Sequence, residues 1–312
     1  MGTKVLVLGA TGFVGRHVVE VLTAGGLEVH QASRKLGVDL RSSAQCQILL
    51  DKVQPEWIVN CAAHVGSLNY VTQQAAEVML DNARMLLSMY EAVALRCPQA
   101  VVINPIANCA FPGDARTYVE DEWMSGPIHP SVLSYGATRR FLWYLGESFN
   151  MQHQVRSIYL FVPNMYGPYD STDPNKAHAL NALISKFVKA EREGQDVLEI
   201  WGTGVAIREW LYAGDYARIV LEVVLNPRIR GLGEPVSIAQ NFGVSVRELV
   251  DIIQHHFHYT GRIQFDPTKD DGAPKKVMDD TRFRKIFPDF KFTLLDDGIR
   301  NAIQYYSTVY PY

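Results

Sequence analysis

No stretch of this chain is apolar for long enough to cross a membrane, and cysteine is scarce: Cys46, Cys61, Cys97 and Cys109 are the whole complement. None of the four stands in a C-x-x-C spacing. That argues against a structural zinc site and a disulfide framework, and it fits a reducing, cytoplasmic setting. Charge of one sign is missing too. The formal net charge is −3, from 30 lysines and arginines against 33 acids, so nothing supports nucleic acid as a partner. The opening run MGTKVLVLGATGFVG is broken by glycines at once, too short for a membrane span and unlike a signal peptide. Internal repeats and low-complexity segments are absent. What is present is 312 residues, 47% of them hydrophobic, enough for one large or two modest domains with full cores.

Residues 4–8 are β-branched and aliphatic and read as a buried strand. Gly9, Thr11, Gly12, Phe13, Val14 and Gly15 follow and open an apolar-periodic helix over about 13–24. Strand, glycine turn, helix is the context in which a backbone approaches a pyrophosphate, while the helix N-terminus supplies free N–H groups and the positive end of its dipole. Dinucleotide binding is therefore favoured over a plain tight turn. The second strand, 28–32, ends in Ser33, Arg34 and Lys35, where NAD enzymes of this architecture often carry an acid for the ribose hydroxyls. An arginine beside a hydroxyl suits a 2′-phosphate, which favours NADPH over NADH; a solvated basic turn is the other reading. Asp39 and Leu40 are candidates to lie by the adenine.

Further strands are expected over 57–63, ending at Ala62 and Ala63, and over 100–106 and 157–162, with a helix over 72–95 that contains Asn82. Strands alternating with helices predict an α/β fold with a Rossmann-like, doubly wound parallel sheet and ligands at the carboxyl ends of its strands. Tyr135 and Arg139 stand four apart at the start of a helix running to about 149, hence on one face. A tyrosine acts as an acid/base group when a fixed cation lowers its pKa from about 10. Beyond 163 the character changes. A turn-rich stretch precedes a helix over 177–193, a strand over 197–201 and a dense polar and aromatic run over 201–215. A helix over 216–225 is expected to return to the sheet, followed by a helix over 246–256, a strand over 263–266 and a loop over 270–276. The expected division is a dinucleotide-binding domain over 1–165, with a return segment over about 205–240. A smaller α/β substrate domain comprises 166–204 and 241–312, with the cleft between them.

Taken together these residues resemble the extended short-chain dehydrogenases/reductases, and within them the GDP-4-keto-6-deoxymannose epimerase-reductase (GDP-fucose synthase) family. The resemblance runs nearly end to end. It includes GATGFVG, AHVG at 63–66, NCAFP at 108–112, YGATR at 135–139, NMYGP at 164–168, the 173–178 segment, WGTGVAIREWLY and DDGAPKK. It implies NADPH as cofactor and Tyr135 as proton donor in reduction of a 4-keto group. It implies Cys109 and His178 as the pair that epimerises the flanking carbons; Cys109 is a competent base where a neighbour lowers its pKa from about 8.5. It implies a GDP-linked 4-keto-6-deoxy sugar, hexose or heptose, as substrate, held by Asn164, Lys186, Trp201, Arg208 and Lys276. It also implies a homodimer built on the helix over 72–95 and the Tyr135 helix, where Phe141, Leu142, Tyr144 and Leu145 give a surplus of apolar surface.

There are two departures from the family pattern. Ala107 stands at the serine that hydrogen-bonds the ketone, with Asn108 in place of the next serine, and Arg139 stands for the lysine that holds the nicotinamide ribose. Ala107 removes a donor, Asn108 offers one from a different place, and the planar fork of Arg139 keeps the charge without replacing an ammonium. Both changes fall in the reductive machinery, by natural divergence or deliberate replacement. The expected activity is an NADPH-dependent epimerase/4-ketoreductase with a weakened reductive site. The alternatives are an epimerase with little reductase activity and a catalytically silent protein that binds dinucleotide and nucleotide sugar.

Overall fold

The computed structural model describes residues 2–173, 175–226, 229, 232–257, 259–269 and 271–312. Pro174 and Asp270, both within stretches singled out above, lie outside the described residues. Strand β1 (Lys4–Leu8) sends Val5 and Val7 into one core and Leu6 and Leu8 into another, because successive strand side chains point to opposite faces. It pairs with β2 (Glu28–Ala32) and β3 (Trp57–Asn60), and β4 (Val101–Ala107) and β5 (Arg156–Val162) continue the sheet. Strands β6 (Asn164–Tyr166), β7 (Val197–Trp201), β8 (Ile207–Arg208) and β9 (Trp210–Tyr212) lie outside it, and β10 (Val236–Ser237) closes its edge. The six strands run β10-β5-β4-β3-β1-β2, every pair parallel.

A parallel sheet buries both faces. One face carries α1 (Phe13–Ala24); the other carries α2 (Ser43–Val53), α4 (Ala75–Arg96) and α5 (Leu133–His153), with the short α3 (Leu68–Gln73) packed against α4 and α5. The helix expected over 72–95 is thus two helices. Ser67 caps the first, with its side chain accepting from Tyr70 N, and the first ends at Gln74. After α6 (Ala179–Glu193), α7 (Ala213–Leu225) returns to pack beside α1, starting three residues earlier than the apolar pattern indicates because Ala213 is itself buried.

A third core gathers Leu180, Ile184, Phe187, Ile200 and Trp210 with residues of α8 (Val246–His256) and α10 (Leu295–Val309). The remaining strands, β11 (Val244–Ser245), β12 (Arg262–Asp266) and β13 (Lys275–Lys276), form two small sheets, β11-β8-β13 and β12-β7, while β6 pairs with β9. Phe283 of α9 (Thr281–Ile286) and Phe287 lie in the sheet's own core, and Met278 in the core on its other face. By packing, part of the stretch expected in the small domain belongs with the large sheet. Among the described residues no helix is long and apolar enough to cross a membrane.

Candidate active site

Gly9 has φ +73°, and a Cβ there would come within 2.7 Å of the Cys61 and Ala62 backbone. The turn after β1 therefore presses against the end of β3, with Ala62 and Ala63 beside it. Gly12 caps α1 without a side chain, and the first turn holds no acid. The first-turn N–H groups of Phe13, Val14 and Gly15 are left without a side-chain cap. Thr11 Oγ1 donates to Ser33 Oγ at 2.9 Å, which ties this turn to the end of β2, where Arg34 is exposed. An uncapped helix N-terminus over a side-chain-free turn with an exposed cation nearby fits the phosphates of a dinucleotide. Asp39 is held by Arg41 at 2.7 Å, and hydrogen bonds from Arg41 keep its carboxyl down at about 2. Arg41 also pairs with Asp81, and Asp81 Oδ2 lies 3.0 Å from His64 Nδ1. Leu40 is buried in the core.

At the carboxyl end of β4 the chain makes a short helical turn through Asn108 and Cys109. Helix α5 seats on it because Gly136 has no side chain; a Cβ would meet the Cys109 carbonyl at 2.6 Å. Tyr135 and Arg139 then stand one turn apart, with the guanidinium 4.9 Å above the phenol ring. Arg139 is almost wholly buried, and its Nη2 donates to Asn82 Oδ1 at 3.2 Å. The same Asn82 oxygen accepts from His64 N, and its amide donates to the His64 and Val78 carbonyls. Arg139 Nε and Asn108 Nδ2 are buried without a partner among the described residues. Orphaned donors of this kind fit a ligand that brings oxygen acceptors.

The electrostatics correct two expectations. Burial pushes Tyr135 above its usual range and outweighs the pull of Arg139, so the phenol is protonated at neutral pH. Burial likewise pushes the Cys109 thiol up to about 11, although Lys276 and Arg139 both oppose it. A neighbouring cation is present in each case, and desolvation wins.

His178 is the N-cap residue of α6. Asp170 Oδ2 accepts from its backbone N at 2.8 Å, from Asn181 Nδ2 at 2.8 Å, and lies 3.1 Å from its Nδ1. Burial disfavours the imidazolium, but the Asp170 carboxylate outweighs it and raises the His178 pKa. The Phe13 ring lies 5.5 Å from the His178 ring, so the glycine turn and His178 meet.

Arg208 and Lys276 are register partners in the parallel β8–β13 pair. Arg208 Nη2 donates to the Asp271 carbonyl at 2.9 Å. Lys276 stands in the field of both Cys109 and Arg208, and burial lowers its pKa. Asn164 Nδ2 donates to the Glu209 carbonyl at 3.2 Å. Lys186 Nζ lies 5.3 Å over the exposed Trp201 ring. Tyr135, Arg139, Cys109 and Lys276 thus form one cluster, with Arg208 behind Lys276, His178 against Phe13, and Lys186 paired with Trp201. Asp170, Asn82 and Glu209 were not singled out as functional from the sequence. The signal for Asp170 is an acid in the turn-rich run eight residues before His178; the other two act through backbone groups remote in sequence.

Fold and site together define a dinucleotide-fold enzyme with an acid/base cluster at the carboxyl end of its parallel sheet. The profile of the NAD dependent epimerase/dehydratase family matches residues 5–239, and the chain belongs to that family. It is similar to the GDP-L-fucose synthase of Dictyostelium discoideum, 28% identical over 97% of this chain and 94% of that protein. A crystal structure of a GDP-L-fucose synthetase from Naegleria fowleri superposes with a TM-score of 0.88 at 25% identity, over 99% of this chain and 94% of that one; another from the same organism is bound to NADP. A GDP-6-OMe-4-keto-L-xylo-heptose reductase from C. jejuni shares the fold at 20% identity and a TM-score of 0.87, over 98% of both chains.

Proposed function

We propose that this chain is an NADPH-dependent epimerase and 4-ketoreductase acting on a GDP-linked 4-keto-6-deoxy sugar, hexose or heptose. The observation that carries the reading is the meeting of Tyr135, Arg139, Cys109 and Lys276 at the end of β4, in a chain whose GDP-L-fucose synthase relative aligns over almost its whole length. Four free cysteines and a reduced cofactor fit a cytoplasmic setting.

NADPH, when bound, supplies a hydride to the carbonyl carbon. The protonated Tyr135 delivers a proton to the oxygen that becomes the alcohol. Arg139 covers the phenol ring and would supply the positive charge when the cofactor is bound, and Asn108 Nδ2, without a partner among the described residues, is a donor for a ligand oxygen. For epimerisation, His178 has Nδ1 occupied by Asp170 and offers Nε2 as the acid. Cys109 removes the proton beside the ketone only after losing its own. With a pKa of about 11, roughly one thiol in 10⁴ is ionised at pH 7, and Lys276 and Arg139 are the groups that limit this cost. Arg208 and Lys276 hold the sugar's diphosphate.

A reading with epimerisation ahead of reduction is favoured by two observations. Ala107 carries no donor, and the Nη2 arm of Arg139 is occupied by Asn82. Incubation with GDP-4-keto-6-deoxymannose and NADPH tests the assignment. Absorbance at about 340 nm falls in proportion to sugar reduced, whereas neither NADPH loss nor exchange of the protons beside the ketone is expected of a silent binding protein.

The active form is a homodimer. Helices α4 and α5 leave Leu80, Leu87, Leu95, Tyr144 and Met151 exposed, and seven-residue spacing puts Leu80 with Leu87 and Tyr144 with Met151 on common faces. Two such stripes suit a self-complementary four-helix contact. Of the residues expected to contribute from α5, Tyr144 is exposed and Leu142 is buried, with Phe141 and Leu145 partly covered.

A further inference from the structure

We propose that Glu209 is a positioning residue for the nucleotide-sugar side of the cleft: its carboxylate binds the backbone of two remote loops and so fixes Arg208 and Lys276. The proposal rests on the reading that these two cations hold the sugar's diphosphate.

Glu209 is the single residue between β8 and β9, and it therefore joins the β11-β8-β13 sheet to the β6-β9 pair. All its polar groups are used in that joint. Its N–H donates to the Lys276 carbonyl at 3.1 Å, and its own carbonyl accepts from Asn164 Nδ2 at 3.2 Å. Oε1 accepts from Gln240 N at 2.5 Å and Oε2 from Met278 N at 2.8 Å. The residue is 0% exposed. No lysine, arginine or histidine among the described residues faces the carboxylate; the nearby charge is another acid, Asp280.

An unpaired buried carboxylate is costly. It is retained here because the backbone N–H groups of Gln240 and Met278 need acceptors and approach from two loops, and each carboxylate oxygen serves one of them. A glutamine at 209 has one acceptor oxygen and would turn its NH₂ toward the other N–H. Lys276 is held at its own carbonyl by the Glu209 N–H, and the chain is held again two residues further on, where the carboxylate accepts from Met278 N. Arg208 is the covalent neighbour. Weakening this joint displaces both cations while leaving the glycine turn after β1, on another part of the sheet, untouched.

The test uses the full chain with GDP and NADPH as separate titrants. Glu209→Gln is expected to weaken GDP binding about tenfold while NADPH binding stays within about twofold. Glu209→Asp, which keeps two acceptor oxygens, is expected to recover most of the GDP affinity. Alkylation of Cys109 by iodoacetamide, followed by the mass of its peptide, should slow in Glu209→Gln at fixed pH because Lys276 is no longer held near the sulfur. Unchanged GDP affinity in Glu209→Gln, loss of both ligands in step, or no recovery in Glu209→Asp each overturns the proposal. Arg208→Ala and Lys276→Ala separate it from its foundation. If these leave GDP binding intact, the diphosphate reading is wrong and the proposal falls with it; if they weaken it and Glu209→Gln does not, the role of Glu209 alone is wrong. Should Glu209→Gln not fold, amide exchange in the unsubstituted protein decides. GDP is expected to protect 275–278 and 239–241 but not 9–15, and absent or uniform protection overturns the proposal.

Discussion

Arg139 does two jobs with one rigid fork. It lies over the Tyr135 ring and it bonds Asn82, which in turn fixes the His64 loop. Its Nε has no partner among the described residues, where an ammonium would rotate its three donors to suit. Together with Ala107 this is the ground for proposing that the reductive half is the slower one. Restoring serine at 107 and lysine at 139 together is expected to raise NADPH consumption by up to about 10²–10³, the usual worth of one oxyanion donor, and to raise proton exchange beside the ketone by less. Equal gains in the two rates would contradict this. His178 offers a second test. Its pKa is raised because Asp170 outweighs burial, while that of Cys109 is raised to about 11 by burial. A thiolate base and an imidazolium acid then coexist only as a minor form. Its population is flat between the two pKa values and falls as pH drops below that of His178. Asp170→Asn removes the raising charge, so the acid limb of exchange against pH is expected to move to lower pH and the plateau to drop by the same factor. An unmoved limb would take His178 out of the acid role. At the cofactor end, Arg34→Ala is expected to shrink the preference for NADPH over NADH about tenfold by dissociation constants; an unchanged ratio means the 2′-phosphate is read elsewhere.

The element scale shows why some of this was legible in the sequence and some was not. The β1 strand, its glycine turn and α1 follow from residues 4–24 alone, because a buried strand and an amphipathic helix each write their own period into the chain. Helix α5 is legible for the same reason. The two-residue strands β8, β11 and β13 have no period to read; register with distant segments makes them. Glu209 is invisible in the sequence because its partners stand 31 and 69 residues away and are backbone N–H groups, which every residue but proline has. Charged neighbours of Cys109 and Tyr135 were foreseeable, whereas the burial that overrides them is a property of packing. The pairing of Cys109 with His178 is an expectation of the family resemblance alone, since the two come from different elements. The exposed stripes on α4 and α5 carry a prediction at this scale. Light scattering at micromolar concentration is expected to give a dimer, and Leu87→Asp a folded monomer; a monomeric parent protein would contradict the assignment.

At the scale of the whole molecule there are three cores, and a polar joint at Glu209 links the β11-β8-β13 sheet to the β6-β9 pair. That joint makes stability depend on pH. Burial raises Glu209 from 4.5 to about 7 against the pull of the Gln240, Met278 and Asn241 N–H groups, with Asp280 adding to the rise. The sign follows from linkage. A carboxyl whose folded pKa lies above its unfolded one contributes fully below about 4.5, and its contribution is lost as pH climbs through about 7, up to about 3 kcal/mol. Urea unfolding of the parent and of Glu209→Gln at several pH values should show the parent losing ground to the variant across that window; a constant difference would contradict it. The central claim is that one ketone serves two half-reactions and that the reductive one is slow. The direct measurement is a single reaction in deuterated buffer with GDP-4-keto-6-deoxymannose and NADPH, in which deuterium entering the carbons beside the ketone and NADPH consumed are followed together. Deuterium uptake is expected to run ahead of NADPH loss from the first turnovers. NADPH loss that matches or precedes deuterium uptake would contradict the account.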